Sequence, residues 1–298
     1  TGRNSQLRNL LGNKGANLAE ISSLGLPVPP GFTISTEACR EYYNAGKKLP
    51  EGLLDQVQSA MCDLEIATGR KFGDPLNPML VSSRSGAAVS MPGMMDTVLN
   101  LGINKQVADG IARRTGNERF SLDLFRRFIQ MFGSVVLGVE ARQFDKVLEE
   151  YQRQAGVFHS ANLGPDELHQ LIASFKGIIL DATGIKVPED PVAQLEQSIV
   201  GVFESWNSRR AVDYRNFHRI PHDLGTAVNV MVMVYGNIDE NSGTGVCFTR
   251  DPASGENRSY GEYLANAQGE DVVSGIATPV EIGYLATAMP EVYSELES

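Results

Sequence analysis

The sequence predicts an α+β protein of two or three subdomains, with a helical stretch set between two mixed segments. Three observations carry this. Short apolar runs beginning near Gly31, at 78–82 and at 227–236 stand among turn residues and read as strands. From Lys105 the texture changes to a long span of helical periodicity. Beyond Ala227, strand-like runs follow one another with only glycine- and Asp/Asn-rich turns between them. At 298 residues and 42% hydrophobic content the chain can bury a full core and exceeds one minimal domain. We divide it into a first lobe at 1–104, a helical insertion with its own small core at 105–190, and a central helix with the antiparallel strands of a second lobe at 191–298.

Taken in order, 10–24 reads as a helix with Leu18, Ile21 and Leu24 on one face. Gly12 and Gly15 bracket Lys14 at its start, where an ammonium can point at a phosphate and the helix N–H groups add their own attraction. A solvated surface lysine is the alternative. A proline-rich turn leads into the strand near Gly31, and Thr36 opens a helix carrying Cys39, Tyr42 and Tyr43. The helix at 51–69 places Leu53, Val57, Met61 and Leu64 on one side. The strand at 78–82 then delivers Arg84, followed by small residues and a Met91-Pro92-Gly93 turn into Met94, Met95, Asp96 and Thr97. Small residues let backbone N–H groups approach an anion, and a guanidinium binds phosphate through two hydrogen bonds. This is a candidate phosphate-binding loop; the other reading is a Gly/Pro surface loop beside a surface arginine. Lys14 and Arg84 are expected at the ends of separate elements facing one pocket.

Three helices follow, marked by Phe125, Phe128, Ile129 and Phe132, by Phe144, Val147 and Leu148, and by Leu168, Leu171, Ile172 and Phe175. Arg126 and Arg127 are expected in helix-surface salt bridges rather than in the pocket. A helix from Pro191 to Ser208 carries Leu195, Ile199, Val202 and Phe203, with Trp206 read as core rather than a ligand platform. The run 227–236 is too apolar for one-sided exposure and reads as a buried strand. With the strands at 242–252 and 260–264 it is expected to form an antiparallel meander, and 289–298 closes the chain as a helix.

A net charge of −10 and a pI near 5.0 argue against a nucleic-acid partner. An acidic protein still binds a polyanion when a few cations and a divalent metal gather at the site. Cys39, Cys62 and Cys247 form no CxxC pair, which fits a reducing compartment and gives no zinc signature; each is expected as a small buried hydrophobe. There is no membrane-length apolar run and no signal pattern, so the chain reads as soluble and cytoplasmic, with an organelle left open. His159, His169, His218 and His222 read as surface or packing residues.

The Arg-Ser-Gly-Ala core at Arg84, followed by Ser-Met-Pro-Gly-Met-Met-Asp-Thr and Val-Leu-Asn-Leu-Gly-Ile-Asn, resembles the nucleotide-binding domain of the pyruvate phosphate dikinase family. Lys14 matches the lysine of the family's Gly-x-Lys-Gly-x-Asn-Leu. Segment 205–215 resembles its Ser-Trp-Asn-x-x-Arg-Ala-x-x-Tyr-Arg, so Arg210 and Arg215 match family positions without a ligand assigned. Segments at 225–230, 242–250, 260–264 and 266–275 match as well.

The resemblance implies an ATP-grasp architecture in which two α+β lobes hold MgATP. Lys14 and Arg84 would act catalytically on its phosphates, with Gly93, Met94, Met95, Asp96 and Thr97 closing over them. Glu262, and behind it Glu270 and Asp271, are the carboxylates that would support magnesium, with surface or turn roles as the alternative. It further implies transfer of the β-phosphoryl group to a histidine on a separate phosphohistidine domain, a pyruvate-binding barrel in the same longer chain, and a homodimer through a region beyond this chain. The family's acidic pair would lie past Ser298, so the ATP-grasp fold is expected to be incomplete at its C-terminal end. Ala277 stands where the family has an arginine, and no histidine sits in a Gly-rich Thr-Cys-His context. A non-catalytic nucleotide-binding or interaction module of the same fold is the alternative.

Overall fold

The computed structural model describes residues 2–274 and 278–298. Ala277 and the Glu270 side chain lie outside the described residues. The fold is a mixed α+β one in two compact units, residues up to Tyr151 together with Pro165–Met233, and Gln152–Gly164 together with Val234–Ser298.

In the first unit, α1 (Gly2–Ser23) is broken at Gly12, whose φ of 68° suits glycine alone without strain. The helix restarts there, which places Lys14 in the first turn of the restarted segment. The expected inward face of Leu18, Ile21 and Leu24 is not formed: Ile21 is 38% and Leu24 71% exposed. α1 instead meets the sheet through its glycines, because only residues without Cβ allow so close an approach. After β1 (Gly31–Ile34), α2 (Thr36–Asn44) is capped by the Ser35 hydroxyl, which accepts from the Ala38 N–H. α3 (Leu53–Thr68) buries Leu53, Val57, Met61 and Leu64, as its spacing predicts.

A short parallel pair, β2 (Lys71–Phe72) and β3 (Pro78–Met79), precedes β4 (Val81–Ala87) and β5 (Thr97–Leu101). Then come α4 (Lys105–Thr115), α5 (Glu118–Met131) with a π-helical turn at Phe132–Val136, α6 (Ala141–Ala155), α7 (Pro165–Thr183), α8 (Pro191–Ser205) and α9 (Arg209–His218). β6 (Thr226–Val232) completes an antiparallel sheet of order β1-β6-β4-β5.

Four expectations are corrected here. Arg84 does not follow a strand end: it lies mid-way along β4, because its small neighbours continue the extended pairing with β6 as far as Ala87. β6 does not begin a meander with the next two strands. It is buried on both faces, so it inserts between β1 and β4, where both faces can be covered. Arg126 and Arg127 are not on a helix surface: both are buried against Asp123, with Arg126 donating to its Oδ1 at 2.6 Å and Arg127 to its Oδ2 at 2.9 Å. A charge this far from water persists only when paired in this way. Finally, Cys39 is buried but Cys62 and Cys247 are exposed: Cys62 lies on the face of α3 opposite Leu53, Val57, Met61 and Leu64, and Cys247 in a strand exposed from Gly245 to Phe248.

In the second unit, β7 (Gly243–Phe248), β8 (Tyr260–Ala265) and β9 (Val280–Glu281) form an antiparallel sheet of order β7-β8-β9. With it come α10 (Gly269–Ser274), α11 (Leu285–Ala288) and α12 (Pro290–Glu297). Tyr263, Ile282 and Leu285 form a small core, with Met289 and Tyr293 against it. No helix among the described residues is long and apolar enough to cross a membrane.

Candidate phosphate-binding site

Strand register builds the site. Thr33 of β1 lies opposite Asn229 of β6, Asn229 opposite Arg84 of β4, and Arg84 opposite Thr97 of β5. Aligned residues on neighbouring strands project from the same face of a sheet. One polar row therefore crosses all four strands, and Arg84 is the exposed position in an otherwise buried strand. The restarted segment of α1 lies over this row: a Cβ on Gly15 would come within 2.9 Å of Asn229 Oδ1.

Lys14, one residue away, donates from Nζ to the Ser85 carbonyl at 2.8 Å. Its side chain runs exposed along part of its length, yet its ammonium end sits among protein atoms. Loss of water there, and next the charge of Arg84, push its pKa down to about 8. Beside it lies an opening of about 400 Å³ lined by Lys14, Ser85, Gly86, Ser90, Gly93 and Thr97 among others, with no carboxylate in its wall. Arg84 is not in that wall, but its charge is felt at the Lys14 ammonium, a repulsion that a bound anion would relieve.

The loop between β4 and β5 is held from below. Met94 N–H donates to Met91 O at 3.2 Å across Pro92 and Gly93, whose φ of 71° gives the type II turn that this Pro-Gly pair favours. Met91 is buried with Ala87 and Trp206, and Met94 and Met95 pack against that cluster. Asp96 forms an ion pair with Arg210 of α9. Gly93, Met95 and Thr97 thus line the opening, while Met94 and Asp96 turn towards the support. Trp206 is core, as expected, at 2% exposure; the Arg215 guanidinium stacks 4.0 Å from its ring and the Trp206 indole N–H donates to the His222 carbonyl.

The protein-family model described as "Pyruvate phosphate dikinase, AMP/ATP-binding domain" matches residues 8–59 and 46–295. The chain belongs to this family. It is 52% identical over 293 residues to pyruvate, phosphate dikinase 1, chloroplastic, of Arabidopsis thaliana, covering 98% of this chain and 30% of that protein. It is 50% identical over 293 residues to pyruvate, phosphate dikinase of Clostridium symbiosum, covering 34% of that protein, and 50% identical to pyruvate, phosphate dikinase 2 of Zea mays, covering 33%. The chain spans about a third of the length of these curated relatives.

Within this dikinase-family chain, the other expected contacts, Glu262 and Asp271, belong to the second unit. Glu262 is an exposed residue of β8, directly opposite Glu281 of β9. Asp271 accepts from the Gln268 N–H at 2.9 Å in a turn. Among the described residues no group of three or more His, Cys, Asp or Glu is placed to hold a metal ion. All four histidines are exposed. Sequence reasoning passed over Asn229, although an asparagine inside the apolar run Ala-Val-Asn-Val-Met-Val was a visible signal.

Proposed function

We propose that this chain is the nucleotide-binding part of a pyruvate phosphate dikinase, with an ATP-grasp fold, and that Lys14 and Arg84 grip the phosphates of ATP. The observation that carries this reading is Lys14 in the wall of a carboxylate-free opening under a Pro-Gly turn, with the charge of Arg84 felt at its ammonium. Family membership supports the choice of ligand.

In the complete enzyme, ATP, phosphate and pyruvate become AMP, pyrophosphate and phosphoenolpyruvate. The β-phosphoryl group passes to a histidine on a phosphohistidine domain, and a barrel in the same longer chain binds pyruvate. The work of this chain is electrostatic. Lys14 and Arg84 sit where negative charge builds between phosphates as the bond to the β-phosphorus changes. A cation held as Lys14 is, in a partly dry site, contributes on the order of several kcal/mol there, because its orientation is set before reaction. Thr97 offers a hydroxyl and Gly93 a backbone N–H, the Met94 N–H being spent within the turn. Magnesium supplies charge neutralisation when it arrives with the nucleotide. No step is assigned to a protein-held metal, and Glu262 is the single carboxylate contact we propose for it.

Calorimetric titration of MgATP into the 298-residue chain tests this reading. Lys14→Ala and Arg84→Ala are each expected to weaken binding about tenfold or more, the scale of a lost charge-assisted hydrogen bond. Unchanged affinity in both variants, or no binding by the folded wild-type chain, would overturn it.

A further inference from the structure

We propose that Asn229, held by Thr33, is a positioning residue that fixes Lys14 against Arg84 in the phosphate grip. The inference rests on the reading of Lys14 and Arg84 given above and adds the device that sets their spacing. Asn229 is fully buried at the centre of β6, with Thr33 on one side and Arg84 on the other. The Thr33 hydroxyl donates to its Oδ1 at 2.9 Å, and its Nδ2 donates to the Arg84 carbonyl at 3.4 Å. One amide therefore ties the outer strand to the backbone of the arginine itself.

The same amide also defines where Lys14 sits. A Cβ on Gly15 would stand 2.9 Å from Asn229 Oδ1 and 3.0 Å from Thr33 Oγ1, so the helix backbone rests on these two polar groups. A Cβ on Gly86 would stand 2.5 Å from Asn229 Nδ2 and 3.5 Å from Lys14 Cβ. The amide thus meets α1 through one glycine and β4 through another, on the two elements that carry the cations. An apolar side chain of similar size would fill the volume but leave the Thr33 hydroxyl and the Arg84 carbonyl without this partner, at a cost that favours local rearrangement.

The decisive readout is the titration of Lys14 in the ligand-free chain. It is followed by NMR with ¹³Cε-labelled lysine, and the Lys14 signal is assigned by its loss in Lys14→Arg. In the wild-type chain the midpoint is expected near 8. In Asn229→Val it is expected to move up towards the ordinary lysine value of about 10.4 as the ammonium regains water and distance from Arg84. MgATP affinity is expected to fall about tenfold alongside, the scale of one lost buried hydrogen bond. Thr33→Val, which removes only the hydroxyl donor, is expected to shift Lys14 in the same direction by less, and it decides the question if Asn229→Val does not fold. Folded variants that melt at lower temperature while Lys14 still titrates at the wild-type midpoint would reduce Asn229 to a structural role and overturn the proposal. A wild-type chain that fails to bind MgATP would instead overturn the nucleotide reading, leaving the Lys14 midpoint to judge Asn229 separately.

Discussion

Lys14 is costly to the free protein, and that cost has a sign. Burial of its ammonium end, and next the charge of Arg84, lower its pKa from 10.5 to about 8. Below about 8 it is charged in both folded and unfolded chains, and the penalty is carried in full. Between about 8 and 10.5 the folded chain releases the proton first, so the unfolded state binds more protons and stability rises with pH. Urea midpoints of wild type and Lys14→Met at pH 7 and pH 10 check this: wild type is expected to gain on the variant at the higher pH. A constant difference would remove the strain assigned to Lys14. Lys14 and Arg84 stand out in the sequence as candidates because a lysine between glycines and an arginine among small residues carry their chemistry by residue type. Asn229 does not, because its meaning comes from register: nothing local to β6 says that Thr33 and Arg84 stand on either side of it.

At the level of elements, close packing and buried charge fix the frame behind the site. In α5, burial would raise the Asp123 pKa, but Arg127 and Arg126 outweigh it and hold the carboxyl far below its usual range. Removing Asp123 takes the carboxylate partner from the buried Arg126, so Asp123→Ala is expected to cost roughly 3–5 kcal/mol in urea unfolding. Glu37→Ala, which breaks an exposed pair with Arg40, is expected to cost about 0–1 kcal/mol. Equal losses would contradict the burial argument. Gly12→Ala is expected to destabilise the chain and weaken MgATP binding together, since its Cβ would lie 1.7 Å from the Gly86 carbonyl oxygen and its φ is positive. A variant with wild-type melting temperature and affinity would show that the α1 kink is dispensable. Helix positions were largely readable from apolar spacing, as α3 and α7 show. Strand partners were not. The turns after β6 look the same whether the next strand pairs with it or belongs to another sheet, and only the two-sided burial of β6 separates the cases.

Across the whole molecule, an acidic chain of net charge −10 presents a local cationic opening. Surrounding negative charge opposes a polyanion at long range, so the function we propose needs the short-range grip of Lys14 and Arg84. The α+β class and the family were legible from composition, periodicity and the loop motif. The antiparallel order β1-β6-β4-β5, which gathers residues far apart in sequence into one row, was not.

The grip itself can be read through its proton balance. With its pKa lowered to about 8, Lys14 is expected to be largely neutral near pH 8.5 in the free chain, and on the function we propose a bound phosphate would hold it charged. MgATP titrated into the chain at that pH, in buffers of different ionisation enthalpy, is predicted to bind with uptake of a large fraction of one proton. Lys14→Arg is predicted to bind without that uptake. Binding with no proton uptake by the wild-type chain, or with the same uptake in the variant, would contradict the assignment of Lys14 to the phosphates.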